Sequence, residues 1–312
     1  MDIFNPKAVI GTNSWGSARY EKVMRGYSVG FESFKNTVSK AKKYDIALFD
    51  TARDYGNGKC PKMLGEIGTK DIIISSKFTP FRKYRPGRIL KSFARDLDDL
   101  KRDYIDIYWL HMPNDIEANL KEIIDLYKQG KIMHIGVSNF NLEECKYAQK
   151  ILAKENIPLY GVQNHYSILC RDWEQNGLLD WCHKNNVLFW AWSSLEGGVL
   201  AGHVKISGIM GFMGSRKMKK FKPLYDVMGE TAKRHGISLS QVAIAYCISK
   251  GIVPMCGCRK PERVEELAKA ADIRLSESEI DEIDNVTASY NLKYIGSDIF
   301  RFAVRKKQHP AG

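Results

Sequence analysis

"DIIISSKFTPFRKYRPGRILKSFARDLDDLKRDYIDIYWLH" occupies residues 71–111. It opens with a continuous isoleucine-rich run of strand length, "DIIISSKF" (71–78). "PGRILKSFARDLDDL" (86–100) follows with the spacing of an amphipathic helix and Pro86 near its first turn. "YIDIYWLH" (104–111) is a second apolar strand. Strand, helix and strand in one short stretch form the crossover unit that joins parallel strands, and strands covered on both faces read as unbroken apolar runs.

The alternation continues in both directions. Upstream lie a strand at "AVIGTN" (8–13), a helix at "FESFKNTVSKAKKY" (31–44) with Phe31, Phe34, Val38 and Ala41 on its apolar face, and a strand at "IALFDTA" (46–52). Downstream, "IEANLKEIIDLYKQG" (116–130) reads as a helix closed by Gly130, "IMHIGVSN" (132–139) as a strand and 141–155 as a helix. Strands at "LYGVQN" (159–164) and "NVLFWAWS" (186–193) flank a helix at 172–186. A helix at 238–251 carries a capping-box pair, Ser238 and Gln241, and leads to a strand at "IVPMCG" (252–257), a helix at 261–271 and a last helix starting at 276–284. Eight strands alternating with helices predict an α/β fold, a (β/α)8 TIM barrel with the helices outside. The alternative, a doubly wound sheet, lacks support: neither G-x-G-x-x-G nor a Walker loop follows a strand. The barrel is expected over residues 1–285, with 286–312 as a C-terminal tail, whose Tyr290, Tyr294, Phe300 and Phe302 suggest packing over the barrel.

Composition narrows the function classes. The chain has 312 residues, 44% of them hydrophobic, enough for one large core. No apolar run reaches the ~18 residues of a membrane helix, and "MDIFNPK" lacks a signal-peptide pattern. Seven scattered cysteines read as reduced thiols, so a cytoplasmic location is expected, with neither metal site nor membrane partner. The net charge is +12, but basic residues are dispersed and not interleaved with aromatics, so no nucleic-acid partner is expected.

In a barrel, chemistry collects at the C-terminal ends of the strands. Asp50 ends the second strand, Tyr55 lies in the loop after it, Lys77 ends the third and His111 the fourth. Each alone has an ordinary structural explanation; four on consecutive strand ends form a constellation. A free phenol has a pKa near ~10, and a neighbouring ammonium lowers it. Lys77 would act on Tyr55, Asp50 would keep Lys77 charged, and His111 would orient a substrate oxygen. Tyr55 could then give a proton to a carbonyl oxygen. No side chain delivers a hydride, so a nicotinamide cofactor is implied.

These motifs resemble the aldo-keto reductase family. "FDTARDYG" (49–56) is similar to its D-T-A-x-x-Y-G, and Lys77 in "ISSKF" and His111 in "YIDIYWLHMP" stand where its other catalytic residues stand. The resemblance runs from "GTNSWG" (11–16) to "CGCRKPERVEEL" (256–267) and implies a TIM barrel that binds NADP(H) and reduces a small-molecule carbonyl substrate. It implies that Ser138, Asn139 and Gln163 hold the nicotinamide carboxamide, and that Trp192, in place of a tyrosine, stacks on the ring. Arg259 and Arg263 would meet the adenosine 2′-phosphate, and Glu266 the adenine side. Thr12, Asp50, Ser193, Leu195, Gly197 and Gly257 complete the expected cofactor set, and Trp15, Phe78 and Met112 are the expected substrate walls beside Tyr55 and His111. The chain departs from the pattern in a short or missing N-terminal hairpin, Ser194 for a proline, Leu267 for an asparagine and a glycine-rich basic stretch over 197–222. A regulatory, redox-sensing subunit of the same superfamily is the second reading. A metal-dependent barrel hydrolase is disfavoured, because "GTNSW" (11–15) stands where its ligands would begin.

Overall fold

The computed structural model describes residues 2–15, 29–202, 221–288 and 290. Eight strands, β1 (Val9–Gly11), β2 (Leu48–Asp50), β3 (Ile73–Phe78), β4 (Ile105–Leu110), β5 (Ile132–Ser138), β6 (Leu159–His165), β7 (Leu188–Trp192) and β8 (Val253–Cys256), run in chain order around a closed barrel. Every pairing is parallel, and β8 closes on β1 through Val9↔Met255. This is the expected TIM barrel. Around it lie α1 (Phe31–Lys43), α2 (Lys59–Ile67), α3 (Arg88–Leu100), α4 (Ile116–Lys128), α5 (Leu142–Ala153), α6 (Asp172–Gln175), α7 (Leu178–Lys184), α8 (Lys222–His235), α9 (Leu239–Ser249), α10 (Pro261–Ala271) and α11 (Glu277–Thr287).

The period of two along each strand sorts the residues. Phe49, Ile74, Tyr108, Leu110, Val137, Val162 and Phe189 face the helices and share one core with them. Val9, Leu48, Ile107, Trp109, Tyr160, Trp190, Val253 and Met255 fill the barrel itself. Trp109 is the keystone of that filling, with ring centroids 4.9 Å from Trp190 and 6.0 Å from Tyr160. Gly136 on the neighbouring strand makes room for it: a Cβ there would lie 2.3 Å from the Trp109 ring. The barrel floor is covered by the first few residues. The Tyr160 hydroxyl donates to the Ile3 carbonyl at 2.7 Å, and Phe4 meets His134 edge-on at 5.0 Å. Two residues thus cover a floor for which no hairpin was expected.

Helix starts follow local chemistry. The capping boxes at Ser238/Gln241 and Ser276/Glu279 form, and Asn141/Glu144 adds a third. Some expectations shift. The helix expected at 172–186 breaks at Gly177, whose φ of 80° is left-handed, giving α6 and α7. Pro86 stands outside α3, which starts after left-handed Gly87. Phe31 is largely exposed, because the buried stripe of α1 is Phe34, Thr37, Val38 and Ala41. Helices α2 and α8 were not expected; Pro61 and Gly65 interrupt the pattern of the first, Pro223 and Gly229 that of the second.

The C-terminal helix α11 is tied down by charge. Asp284 meets Arg171 at 2.8 Å and Lys250 at 2.7 Å, and Lys250 reaches Glu174 at 3.1 Å. Tyr290 packs edge-on against Phe221 at 5.3 Å. The expectations for Tyr294, Phe300 and Phe302, and for most of the 197–222 stretch, fall outside the described residues. Among the described residues no helix is long and apolar enough to cross a membrane.

Candidate active site

Strand register builds the centre of the site. Asp50 pairs with Gly11 on one side and Ser75 on the other, so Asp50 and Ser75 share a level. Lys77 lies two residues beyond Ser75, on the same inward face. Both charged groups are fully buried. The Lys77 ammonium contacts Asp50 Oδ2, donates to the Thr51 carbonyl at 2.9 Å and to the Tyr55 hydroxyl at 3.1 Å. Asp50 Oδ1 accepts from Ser75 Oγ at 2.7 Å and Gln163 Nε2 at 3.1 Å. Ser75 Oγ in turn accepts from Trp109 Nε1 at 2.7 Å. Both carboxylate oxygens are hydrogen-bonded, as a buried charge requires.

Tyr55 opens a tight turn in which Gly56, Asn57 and Gly58 all have positive φ, at 58°, 56° and 85°. Arg53, two residues earlier, fastens the loop to α3 through Asp99, with Asp96 Oδ1 3.8 Å away. Burial pushes the Tyr55 phenol well up, and the charges of Asp50 and Asp54 add to this. The net direction is opposite to the expected lowering by Lys77: burial is the largest cause, and the Asp50 and Asp54 charges act the same way. Tyr55 is therefore held in its protonated form. Burial also lowers the Lys77 pKa, opposed by the charge and hydrogen bond of Asp50.

His111 follows β4 and is buried. Its ring meets Tyr55 edge-on, with centroids 6.4 Å apart. Nδ1 is 2.7 Å from Thr79 Oγ1, which donates to Asp54 Oδ1 at 3.2 Å. The imidazole pKa is lowered to about 4, mainly by burial; Asp54 opposes this and Lys77 reinforces it. Asp54 and Thr79 were not singled out in the sequence, although Asp54 lies inside the quoted "FDTARDYG".

The residues expected to hold the cofactor lie at or near the C-terminal ends of β1, β2, β5, β6, β7 and β8, with Arg263 and Glu266 on α10. The Ser138 hydroxyl donates to the Gln163 carbonyl at 2.7 Å, and Asn139 Nδ2 donates to the His111 carbonyl at 2.9 Å. Asn139 has a φ of 62°, the left-handed conformation asparagine tolerates. Thr12 Oγ1 donates to the Asp50 carbonyl at 3.0 Å. Trp192 stacks on His165, with centroids 4.6 Å apart and planes 18° from parallel, and His165 Nε2 is 2.8 Å from Glu196. Ser193 and Gly197 both take left-handed backbone in the turn around Leu195. Arg259 is buried, Gly257 is exposed, and Arg263 pairs with Glu266 along α10. Leu267 is core, consistent with the loss of a polar contact there.

Two of the three expected substrate walls, Trp15 and Phe78, pack in the core shared with the helices. Trp15 donates its indole N–H to the Cys258 carbonyl at 3.1 Å and stacks on Phe34 at 4.7 Å, which places it in the strand–helix layer. Phe78 belongs to the same layer, and Met112 is buried. A residue at or beyond a strand end can turn inward or outward, and Phe78, the last of β3, and Trp15, beyond β1, turn toward the helices.

Comparison with known proteins agrees with this geometry. The sequence profile described as the Aldo/keto reductase family matches residues 7–288. A chloroplastic pyridoxal reductase of Arabidopsis thaliana is 26% identical over 294 residues, covering 86% of this chain and 80% of its own. An aldo-keto reductase of Bacillus subtilis is 26% identical, with 80% and 82% covered. Among solved structures, a thermostable aldo-keto reductase in complex with epalrestat superposes with a TM-score of 0.73 at 28% identity, covering 90% of this chain and 95% of that one. A Klebsiella pneumoniae aldo/keto reductase in complex with NADP and acetate has a TM-score of 0.72 at 21% identity, covering 92% and 93%, and shares the fold. A closed parallel barrel with aspartate, tyrosine, lysine and histidine gathered on one rim, matched by a family profile over nearly its whole length, makes this chain a member of the aldo-keto reductase family.

Proposed function

We propose that this protein reduces an aldehyde or ketone to an alcohol with NADPH, with Tyr55 as the proton donor. The observation that carries this reading is the Lys77 ammonium, shared between the Asp50 carboxylate and the Tyr55 hydroxyl.

The donor set fits a nicotinamide cofactor. Ser138, Asn139 and Gln163 put a hydroxyl and two amides side by side, matching the two donors and one acceptor of a carboxamide. Trp192 offers an aromatic face for the ring. Arg259 and Arg263 stand near the start of α10, where guanidinium groups suit phosphate oxygens, and backbone N–H groups at a helix start add to them. The Klebsiella relative named above has NADP in its complex. When bound, the dihydronicotinamide supplies a hydride to the carbonyl carbon.

The remaining work falls to the chain. Tyr55 donates to the carbonyl oxygen and passes its proton as the oxygen gains charge. The phenolate left behind is adjacent to the Lys77 ammonium, which stabilises it. Asp50 holds Lys77 in place and offsets its buried charge. The raised Tyr55 pKa keeps the acid loaded at neutral pH.

Tyr55→Phe tests this reading. Reduction across a panel of aldehydes and ketones should fall by ~10²–10⁴-fold while calorimetric NADPH affinity stays near wild type. A variant retaining more than about a tenth of wild-type kcat would rule out Tyr55 as the acid.

A further inference from the structure

Arg53 sits in the loop between Asp50 and Tyr55. The three residues after Tyr55, namely Gly56, Asn57 and Gly58, all have left-handed backbone. Two of them have no side chain with which to hold the turn in place. Arg53 holds it from outside. Its guanidinium leaves the loop to contact the Asp99 carboxylate on α3, and Nη1 also donates to the Arg95 carbonyl at 3.5 Å. The same guanidinium lies against the far end of the turn: a Cβ at Gly58 would be 2.6 Å from Nη2. The backbone of Arg53 thus stands before Tyr55 and its side chain touches the turn beyond it, with both fastened to α3.

The support for this clasp is itself fixed. Helix α2 follows the turn directly at Lys59, and its Gly65 packs so close to α3 that a Cβ there would be 2.0 Å from the Asp99 carbonyl oxygen. Asp96, on the same helix and fully buried, adds a second link. Its Oδ1 is 3.8 Å from Arg53, and its Oδ2 accepts from Ser76 Oγ at 3.3 Å. Ser76 precedes Lys77 on β3. One buried carboxyl therefore connects the Tyr55 loop to the strand that carries Lys77. The Lys77 ammonium reaches the Tyr55 hydroxyl at 3.1 Å, a contact that a small shift of the loop would break.

We propose that Arg53 is a positioning residue for the reaction: held by Asp99 and Asp96, it clasps the turn that begins at Tyr55 and sets the Tyr55 hydroxyl against Lys77. This rests on the reading of Tyr55 as the proton donor. Arg53 acts through Tyr55, so its loss falls on the chemical step and not on the binding of either substrate. A planar guanidinium can face two carboxylates and lie flat against a glycine, whereas a lysine ammonium keeps the charge and loses the flat contact.

Arg53→Met removes the charge and keeps an unbranched stem. Its kcat for carbonyl reduction should fall by about tenfold, with KM and calorimetric NADPH affinity near wild type. Arg53→Lys should lose less than Arg53→Met, because the charge stays beside Asp99. In a Tyr55→Phe background, Arg53→Met should change the residual kcat/KM by less than about twofold, since there is no phenol left to position. Hydrogen exchange over residues 52–58 should be faster in Arg53→Met than in the wild type. An unchanged kcat, a loss carried by KM or by NADPH affinity, or the same loss in the Tyr55→Phe background would each overturn the proposal, as would unchanged exchange. A wild type that reduces no carbonyl compound would reject the reductase reading, while the exchange comparison would still decide whether Arg53 clasps the turn, so the two fail separately.

Discussion

Asp50→Asn removes one charge from the barrel interior and leaves Lys77 where it is. Lys77 is fully buried, and its two strongest supports are the charge and the hydrogen bond of Asp50. Without the Asp50 charge, burial is opposed mainly by the weaker pull of Asp54, and the pKa falls further below the ordinary 10.5. Leaving one member of a buried pair without its partner costs roughly 3–5 kcal/mol. At about 2–4 °C per kcal/mol for a large domain, the melting temperature should drop by ~6–20 °C. The pH dependence carries the sign. A lysine whose folded pKa lies below its unfolded value favours folding above the unfolded pKa, and that contribution is lost as pH falls through the folded pKa. The variant's stability should therefore climb with pH up to the ordinary lysine value, more steeply than the wild type's. Thermal melts from neutral to alkaline pH read this directly. The double variant Asp50→Asn with Lys77→Met should recover much of the lost stability, since an apolar replacement needs no counter-charge, while remaining inactive. The reasoning fails if Asp50→Asn melts like the wild type with the same pH slope, or if the double variant is no more stable than Asp50→Asn.

Three further outcomes follow from other parts of the molecule. Gly136→Ala puts a Cβ 2.3 Å from the Trp109 ring inside a filled barrel and should cost about 3 kcal/mol or more, seen as a lower midpoint in urea; an unchanged midpoint would mean the ring can move aside. Asp96 is fully buried and its carboxyl is raised from 3.8 to about 7, mainly by burial, so its contribution to stability is present at acid pH and is lost as pH rises through about 7. Asp96→Asn should thus be more stable than wild type by ~2–4 kcal/mol at alkaline pH and nearly equal to it near pH ~4, a difference that paired melts would measure. Arg259→Ala with Arg263→Ala should weaken NADPH binding by tenfold or more while changing NADH binding little; equal losses in calorimetry would remove both residues from 2′-phosphate recognition.

The barrel was legible because its strands are apolar and its helices periodic, and the tetrad because four polar groups recur where strands end. Asp50, Tyr55, Lys77 and His111 converge as their positions implied. Other features depend on three dimensions. Thr79 looks like any residue after a strand until its hydroxyl is found between His111 and Asp54. Trp15 looked like a pocket wall because it follows a strand, but an apolar ring goes to whichever side offers more contact, and Phe34 and Phe49 offer it. The Tyr55 pKa was misjudged for a related reason: its largest cause is burial, which depends on how the loop folds over the site, and the charges of Asp50 and Asp54 act in the same direction. Helix α2 escaped because Pro61 falls in its first turn, where proline is tolerated, and Gly65 approaches the backbone of α3 too closely for any side chain.

The Trp109 contact with Ser75 has an evolutionary consequence. Gly136 makes space for Trp109, the indole N–H holds Ser75, and the Ser75 hydroxyl holds Asp50. A larger residue at position 136 would need a smaller one at 109 to restore the fit. Most smaller residues lack an N–H, and Ser75 would then be free to rotate away from the carboxylate. A substitution that repairs the steric fault would thus loosen the aspartate that anchors Lys77. The interior of this barrel is consequently not free to drift as ordinary filling does. Its glycine, tryptophan, serine and aspartate must change together or stay, and a lineage that loses one should be found to have altered the others as well.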